Sequence, residues 1–349
     1  MIRKFGGAQD GNLPPNRGGA FVAGIHDAAR WGLEIPQQRR FRAFVVGRIA
    51  VTGGVHGDEY APFAGPGLLR VTGFAGIAMS APVFVPLTPG WVESATRLSA
   101  QAGWNQVPAD WERFLRVPGA GAFVFLADGE VRASYSVIRY DGSLAWIGMI
   151  LVDTAYRGRG LGGAAFDEAL LACGEVTAGL DATDLGEPIY RRRGFESCLP
   201  ISRWMVEGAG SGGTLDRGRL DGEIFGLDAQ ACGFDRSDLL RDLVLGGGRV
   251  IRCVEGGSLA GYGILRPGRT ASHLGPVIAL TESALSWILD QAAAQGGPVL
   301  CDLLAPQSAP ALEARGFRKV RSLMRMTRPH SVRVLHGPLV HCAAGFELG

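Results

Sequence analysis

From residue 79 onward, hydrophobic positions fall into short runs and alternations broken by Gly, Asp and Pro. Pro82 to Pro86 predicts a short strand. Pro89 to Gly103 predicts a helix, with Trp91, Ala95, Leu98 and Ala102 at the 3–4 spacing of one buried face. Ala122 to Leu126 and Val131 to Tyr140 alternate on either side of Asp128-Gly129, a hairpin signal. Asp141-Gly142 turns the chain towards Trp146, and Ile147 to Val152 is an unbroken apolar run, as in a buried strand. Ala164 to Leu171 is helix-prone and Val176 to Leu180 reads as another strand. Glu187-Pro188 can open a short helix, since proline suits a first turn. That helix carries Tyr190 and closes on Arg193-Gly194-Phe195, a glycine cap with an apolar anchor. Ile201 to Val206 reads as a closing strand.

Between the Ile147–Val152 strand and the following helix lies Arg157-Gly158-Arg159-Gly160-Leu161-Gly162-Gly163. Strand, glycine loop, helix is the layout of an anion site. The first N–H groups of a helix lack partners within it, and its dipole is positive there. Glycines let the backbone approach a phosphate closely. The loop lacks the lysine and hydroxyl of GxxxxGK[ST], and it is not a GxGxxG with a ribose-binding acid downstream. It reads R-x-x-G-x-G over Arg157, Gly160 and Gly162, which resembles the acetyl-CoA pyrophosphate loop of the GNAT N-acetyltransferases. Tyr190-x-x-x-Gly194-Phe195 resembles the end of that family's cofactor half. The resemblance implies that Ile150, Leu151, Val152, Arg157, Gly158, Arg159, Gly160, Leu161, Gly162 and Gly163 hold acetyl-CoA as a co-substrate. It also implies that Tyr190 faces the sulfur. Trp104-Asn105-Gln106 with Asp110-Trp111 resembles a bacterial subgroup of two-domain GNAT proteins, and Asn105, Gln106 and Asp110 are candidates for binding a polar acceptor. Tryptophans as core anchors and polar residues as helix caps would explain the same stretch.

After the small-residue stretch Gly208 to Gly213 the chain repeats itself. Gly257 to Gly268 lines up with Gly129 to Gly142, and His273 to Leu280 takes the place of the Trp146 strand. A helix from Glu282 to Ala294, a strand from Val299 to Leu304, Leu312 to Phe317 as an echo of Tyr190 to Phe195, and a strand from Val320 to Met326 follow. Leu339 to Leu348 reads as a last strand and tail. The second copy lacks the arginine–glycine loop: Ala279-Leu280-Thr281-Glu282 puts a side chain at each position and an acid where an anion would sit. It is therefore expected not to bind CoA pyrophosphate in the usual way. The expected fold class is α+β: two GNAT-like folds in tandem, each a mixed, mostly antiparallel twisted sheet flanked by helices. The expected boundaries are a poorly ordered leader over 1–78, a CoA-binding domain over 79–207, a linker over 208–214 and a degenerate domain over 215–349.

The chain has 349 residues, enough for two domains, and is 47% hydrophobic. A net charge of +2 implies no nucleic-acid or membrane surface, and no apolar run is long enough to span a bilayer. None of the six cysteines forms C-x-x-C or clusters with histidines, so reduced thiols in a cytoplasmic protein are expected and no metal site. Residues 1–78 differ in composition, rich in Gly, Arg and Pro; no apolar core follows Met1-Ile2-Arg3-Lys4, which argues against a signal peptide. Within them, Arg48 to Tyr60 looks like the zinc site of the succinylglutamate desuccinylase and aspartoacylase family, with His56 and Glu59 as the matching ligands. That fold has too little room before the acetyltransferase part, and a third ligand is missing. Met79 looks like a natural start.

The expected activity is direct acetyl transfer from acetyl-CoA to the amine of a small molecule; the alternative is a non-catalytic CoA-binding or interaction module. A homodimer is compatible with either. Tyr190 is the candidate general acid, since a phenol can donate to a leaving thiolate. Backbone N–H groups near Ile150 to Val152 are candidate oxyanion donors. The general base is open: Asp181, Glu187, Asp110, Glu112 or a water relay, with Asp181 read first as a turn cap.

Overall fold

In the computed structural model, residues 82–208, 218–329 and 337–349 are described. The 1–78 leader with His56 and Glu59, and most of the 208–214 linker, lie outside them. The elements in order are β1 (Val85–Pro86), α1 (Val92–Gln101), α2 (Pro108–Arg116), β2 (Ala120–Ala127), β3 (Glu130–Tyr140), β4 (Leu144–Val152), α3 (Leu161–Cys173), β5 (Thr177–Ala182), α4 (Glu187–Arg191) and β6 (Glu196–Val206). The second half runs α5 (Gly222–Cys232), α6 (Ser237–Leu245), β7 (Arg249–Glu255), β8 (Ser258–Arg266), β9 (Ser272–Ala279), α7 (Glu282–Ala293), β10 (Val299–Leu303), α8 (Ala309–Glu313), β11 (Arg318–Arg328) and β12 (Val340–Cys342). The helix α2 starts inside the stretch read as an acceptor-site loop. Pro108 sets its first turn, and Asp110 turns back to accept from the Val107 N–H at 2.9 Å.

The twelve strands of the described residues join one sheet, in the order β1-β2-β3-β4-β5-β11-β6-β10-β12-β9-β8-β7. Neighbours are antiparallel except β4–β5 and an additional β9–β10 contact, both parallel. The mixed, mostly antiparallel sheet flanked by helices bears out the expected fold class. Two strands are exchanged, which the sequence did not reveal. From the second half, β11 lies between β5 and β6, pairing Met324 with Ala182 and Ser322 with Ser202. From the first half, β6 lies between β11 and β10, pairing Trp204 with Cys301.

Alternation along the strands sends Val137 and Ile138 to opposite faces. On one face, α3 packs Ala165, Phe166 and Ala169 against Val137, Ile147, Leu180 and Phe195, and Met326 of β11 completes that cluster. Under α7 the corresponding cluster of Leu285, Ile288 and Leu289 is completed by Trp204 of β6. Each half thus fills its core with a side chain from the other. On the opposite face α1, α2, α5 and α6 share a single core that runs from Trp111 and Phe114 through Ile138 to Leu240 and Tyr262. Ion pairs cross the halves there: buried Arg113, paired with Asp110 of its own helix at 2.8 Å, meets Asp242 of α6 at 2.9 Å, and Arg116 reaches Asp242 at 2.7 Å.

Candidate active site

The site begins where β4 leaves β5. Their parallel pairing is confined to Leu144–Trp146 with Thr177–Gly179. Beyond it β4 bulges: Ser134 opposes Leu151 while Ser136 opposes Gly148, so β4 carries one extra residue. Met149 takes the strain with φ +49°, and Ser134 Oγ donates to its carbonyl at 2.7 Å. A wedge opens between β4 and β5, and a cleft of about 1070 Å³ extends from it. Its walls include Gly148 to Val152, the 157–163 loop except Arg159, Leu180, Asp181, Tyr190, Trp104, Gln106, Arg203, Arg321, Phe346 and Glu347.

At the mouth, Asp153 caps a short 3-10 turn, Thr154–Tyr156, by accepting from the Ala155 N–H at 2.9 Å. Gly158 and Gly160 then adopt φ +76° and +81°, and a Cβ on either would meet nothing within 4 Å. Conformation rather than crowding requires these glycines, and the space before them is open. The helix α3 follows directly from Gly160, so its unpaired N–H groups and dipole face the cleft. This cradle, with an exposed Arg157 beside it, suits a pyrophosphate. Arg159 is directed otherwise: its guanidinium stacks 4.5 Å over Tyr156 and donates to the Ala155 carbonyl.

Tyr190 lines the inner cleft, half-buried, with its ring 4.6 Å from Phe166. Gly186 lies so close that a Cβ would sit 2.8 Å from the ring. Burial pushes the phenol up to about 12, so it keeps its proton at neutral pH. Asp181 is not a turn cap. Its carboxylate is fully buried and bidentate to Arg325 of β11 at 2.8 Å on both oxygens. Of the acceptor candidates only Gln106 lines the cleft. Asn105 instead ties the halves together, its Oδ1 accepting from Thr270 at 2.9 Å and its Nδ2 donating to the Ala271 carbonyl at 2.9 Å. Asp110 is the buried α2 cap, held by Arg113 and 3.8 Å from Arg266, with arginine attraction outweighing burial and lowering its pKa. Glu112 and Glu187 form exposed helix pairs with Arg116 and Arg191.

The second half shows the same wedge, filled. There β9 and β10 pair in parallel only over Ser272–Leu274 with Val299–Cys301, and β12 then inserts between them. The helix α7 is capped by Thr281, which accepts from the Ala284 N–H, while Glu255 accepts from Ser283 at its start.

From β12 the chain runs to the first wedge. Trp146 Nε1 donates to the Phe346 carbonyl at 2.8 Å, and Tyr140 donates to the Leu348 carbonyl at 2.6 Å. Gly148 touches the segment so closely that a Cβ would lie 2.9 Å from Glu347 Cα. Glu347, which the sequence reading missed, is thereby placed beside the β4 bulge, 4% exposed. Deeper in, Asp302 binds Arg203 bidentately at 2.7 and 2.8 Å and lies 3.3 Å from His273. Arg203 holds Asp302 well below the ordinary carboxylate range, and burial pushes His273 down to about 4, leaving it neutral. Among the described residues no group of three His, Cys, Asp or Glu suits a metal ion, and no helix is long and apolar enough to cross a membrane.

Comparison with known proteins places these features. Residues 90–195 match the acetyltransferase (GNAT) family, and residues 224–336 match an acetyltransferase (GNAT) domain. The chain is 27% identical over 239 residues to holothin acyltransferase of Pseudoalteromonas sp. (strain SANK 73390), covering 64% of this chain and 80% of that one. It is 26% identical over 244 residues to the uncharacterized N-acetyltransferase YitH of Bacillus subtilis (strain 168), covering 65% and 85%. Among solved structures, a putative acetyltransferase from Pyrococcus horikoshii superposes with a TM-score of 0.65 at 20% identity, covering 80% of this chain and all of the other. A tandem GNAT protein from the clavulanic acid biosynthesis pathway superposes with a TM-score of 0.51 at 18% identity, covering 71% and 99%. Both share the fold.

Proposed function

The chain belongs to the GNAT acetyltransferase family, with two such domains in tandem, and we propose that its first domain transfers an acetyl group from acetyl-CoA to the primary amine of a small molecule. The observation that carries this reading is the difference between the two wedges. The first is open and ends at a glycine cradle, whereas β12 fills the second. The donor supplies an activated thioester. The pyrophosphate meets the loop N–H groups and Arg157, and the pantetheine arm follows the unpaired edge of β4 into the wedge. Backbone N–H groups around Ile150 accept the charge that develops on the carbonyl oxygen. Tyr190 returns a proton to the departing thiolate.

Two measurements test the reading. Calorimetric titration with acetyl-CoA is expected to show binding weakened about tenfold by Arg157→Ala, the loss of one exposed charge-assisted phosphate contact. Unchanged affinity would remove the loop from the site. Tyr190→Phe is expected to lower kcat on an amine panel of amino acids, polyamines and aminosugars by about 10²-fold while acetyl-CoA affinity holds. A fall in affinity with kcat intact would make Tyr190 a packing residue only.

A further inference from the structure

We infer that Glu347 is the general base of this site, taking a proton from the acceptor's ammonium group. The inference rests on the acyl-transfer reading above and supplies the group that reading lacks. Three other carboxylates near the cleft are committed, Asp181 to Arg325, Asp302 to Arg203, and Asp110 to its helix cap and Arg113, while Asp184 lines the cleft as a solvent-exposed residue. Glu347 has no hydrogen-bonded side-chain partner: its carboxyl accepts only from its own backbone N–H, its Oε1 is buried without a partner, and the residue is one of those that line the cleft. Its nearest cation is Arg266, 3.6 Å away, a charge contact without a hydrogen bond; Arg266 itself donates to the carbonyls of Gly275 and Ala344. The backbone of Glu347 lies against Gly148, next to the bulge where the thioester carbonyl would sit. The charged groups around it are Arg266 from β8, Asp110 and Arg113 from α2, and Arg203 from β6. Burial, reinforced by the Asp110 charge, outweighs the arginines and raises the carboxyl above its ordinary 4.5. The shift brings the base closer to working pH.

The proton balance closes. Glu347 takes one proton from the ammonium. The neutral nitrogen attacks the thioester carbon, the C–N bond forms, and collapse of the adduct breaks the C–S bond. The thiolate takes the Tyr190 proton, the second proton lost by the nitrogen restores the phenol, and Glu347 releases its proton to water.

The test compares the full-length protein with Glu347→Gln, which keeps the side chain's size. Acylation of the same amine panel is expected to fall about 10²- to 10³-fold in kcat/KM, with acetyl-CoA affinity by calorimetry and thermal stability unchanged. In the wild type, kcat/KM is expected to fall as pH drops through a midpoint above 4.5, because the base must be ionised, and this acid limb disappears in the variant. Difference infrared spectra of the two proteins read the carboxyl directly and should place its titration at the same midpoint. If Glu347→Gln does not fold, that spectrum is taken against Glu347→Asp instead, and agreement with the wild-type limb decides the matter. Acyl transfer that survives Glu347→Gln with its acid limb intact overturns the base assignment alone. A wild type that binds acetyl-CoA but acylates none of the panel overturns the acyl-transfer reading and the base with it.

Discussion

Residues 79–207 produced alone are expected to be insoluble or unfolded, and to become soluble when residues 218–349 are supplied as a second chain. The reason lies in the strand exchange. Without β11, β5 loses its neighbour from Ala178 to Ala182, and β6 loses its partners on both sides, since β10 flanks it opposite. Open strand edges of this kind invite association with other chains. The core under α3 loses Met326, which is fully buried, and Trp204, buried under α7 in the whole protein, becomes exposed. Exposing one such large side chain costs about 2 kcal/mol, a sizeable part of a domain's margin. Co-expression followed by size-exclusion chromatography and a thermal melt reads the outcome. A monomeric 79–207 with a cooperative melt of its own would mean that β6 can return to β5 directly and that the exchange is dispensable.

The sequence carried much of the first half's local structure, because its strands alternate and its glycine loop has a conformational requirement that few other patterns share. The positive φ of Gly158 and Gly160 is a local demand and leaves a local trace. The strand order left none: β5 meets β11 through the pairing of Asp181 with Arg325, residues far apart in the chain, and nothing near either one specifies its partner. Asn105 and Asp110 show a different limit. A polar side chain on a predicted loop looks the same whether it binds a ligand, caps a helix or ties two loops, and here they cap and tie. Helices α5 and α6 and strand β7 went unread in a stretch where the repeat with the first half is weak. Glu347 had one usable sign, a lone acid within the otherwise apolar and small Ala343 to Gly349. An acid in such company is either exposed or retained for a purpose, and the contact with Gly148 decides for burial.

Asp181 and Arg325 are expected to give the largest loss of stability available from single side chains at the junction, with the two halves of the pair failing differently. The pair is buried, bidentate, and roofed by Trp146, whose ring lies 4.6 Å from the guanidinium. Asp181→Ala leaves an arginine that cannot shed its charge, and the cost is expected to be about 3–5 kcal/mol at any pH from 5 to 8. Arg325→Met leaves a carboxyl that can bind a proton. Burial already raises Asp181 despite Arg325, and removing the arginine raises it further. With a folded pKa above the unfolded one, its neutral form is no burden below about pH 4. Stability is then lost progressively as pH rises towards the folded value. Arg325→Met should therefore be milder at pH 5 than at pH 8, whereas Asp181→Ala should show no such slope. The double change Asp181→Leu with Arg325→Met removes both charges at similar volume and should cost less than either single change. Urea denaturation at the two pH values measures all three. Additive losses, or equal pH slopes for the two single variants, would mean that water reaches the pair and that its burial does not set the strength of the junction.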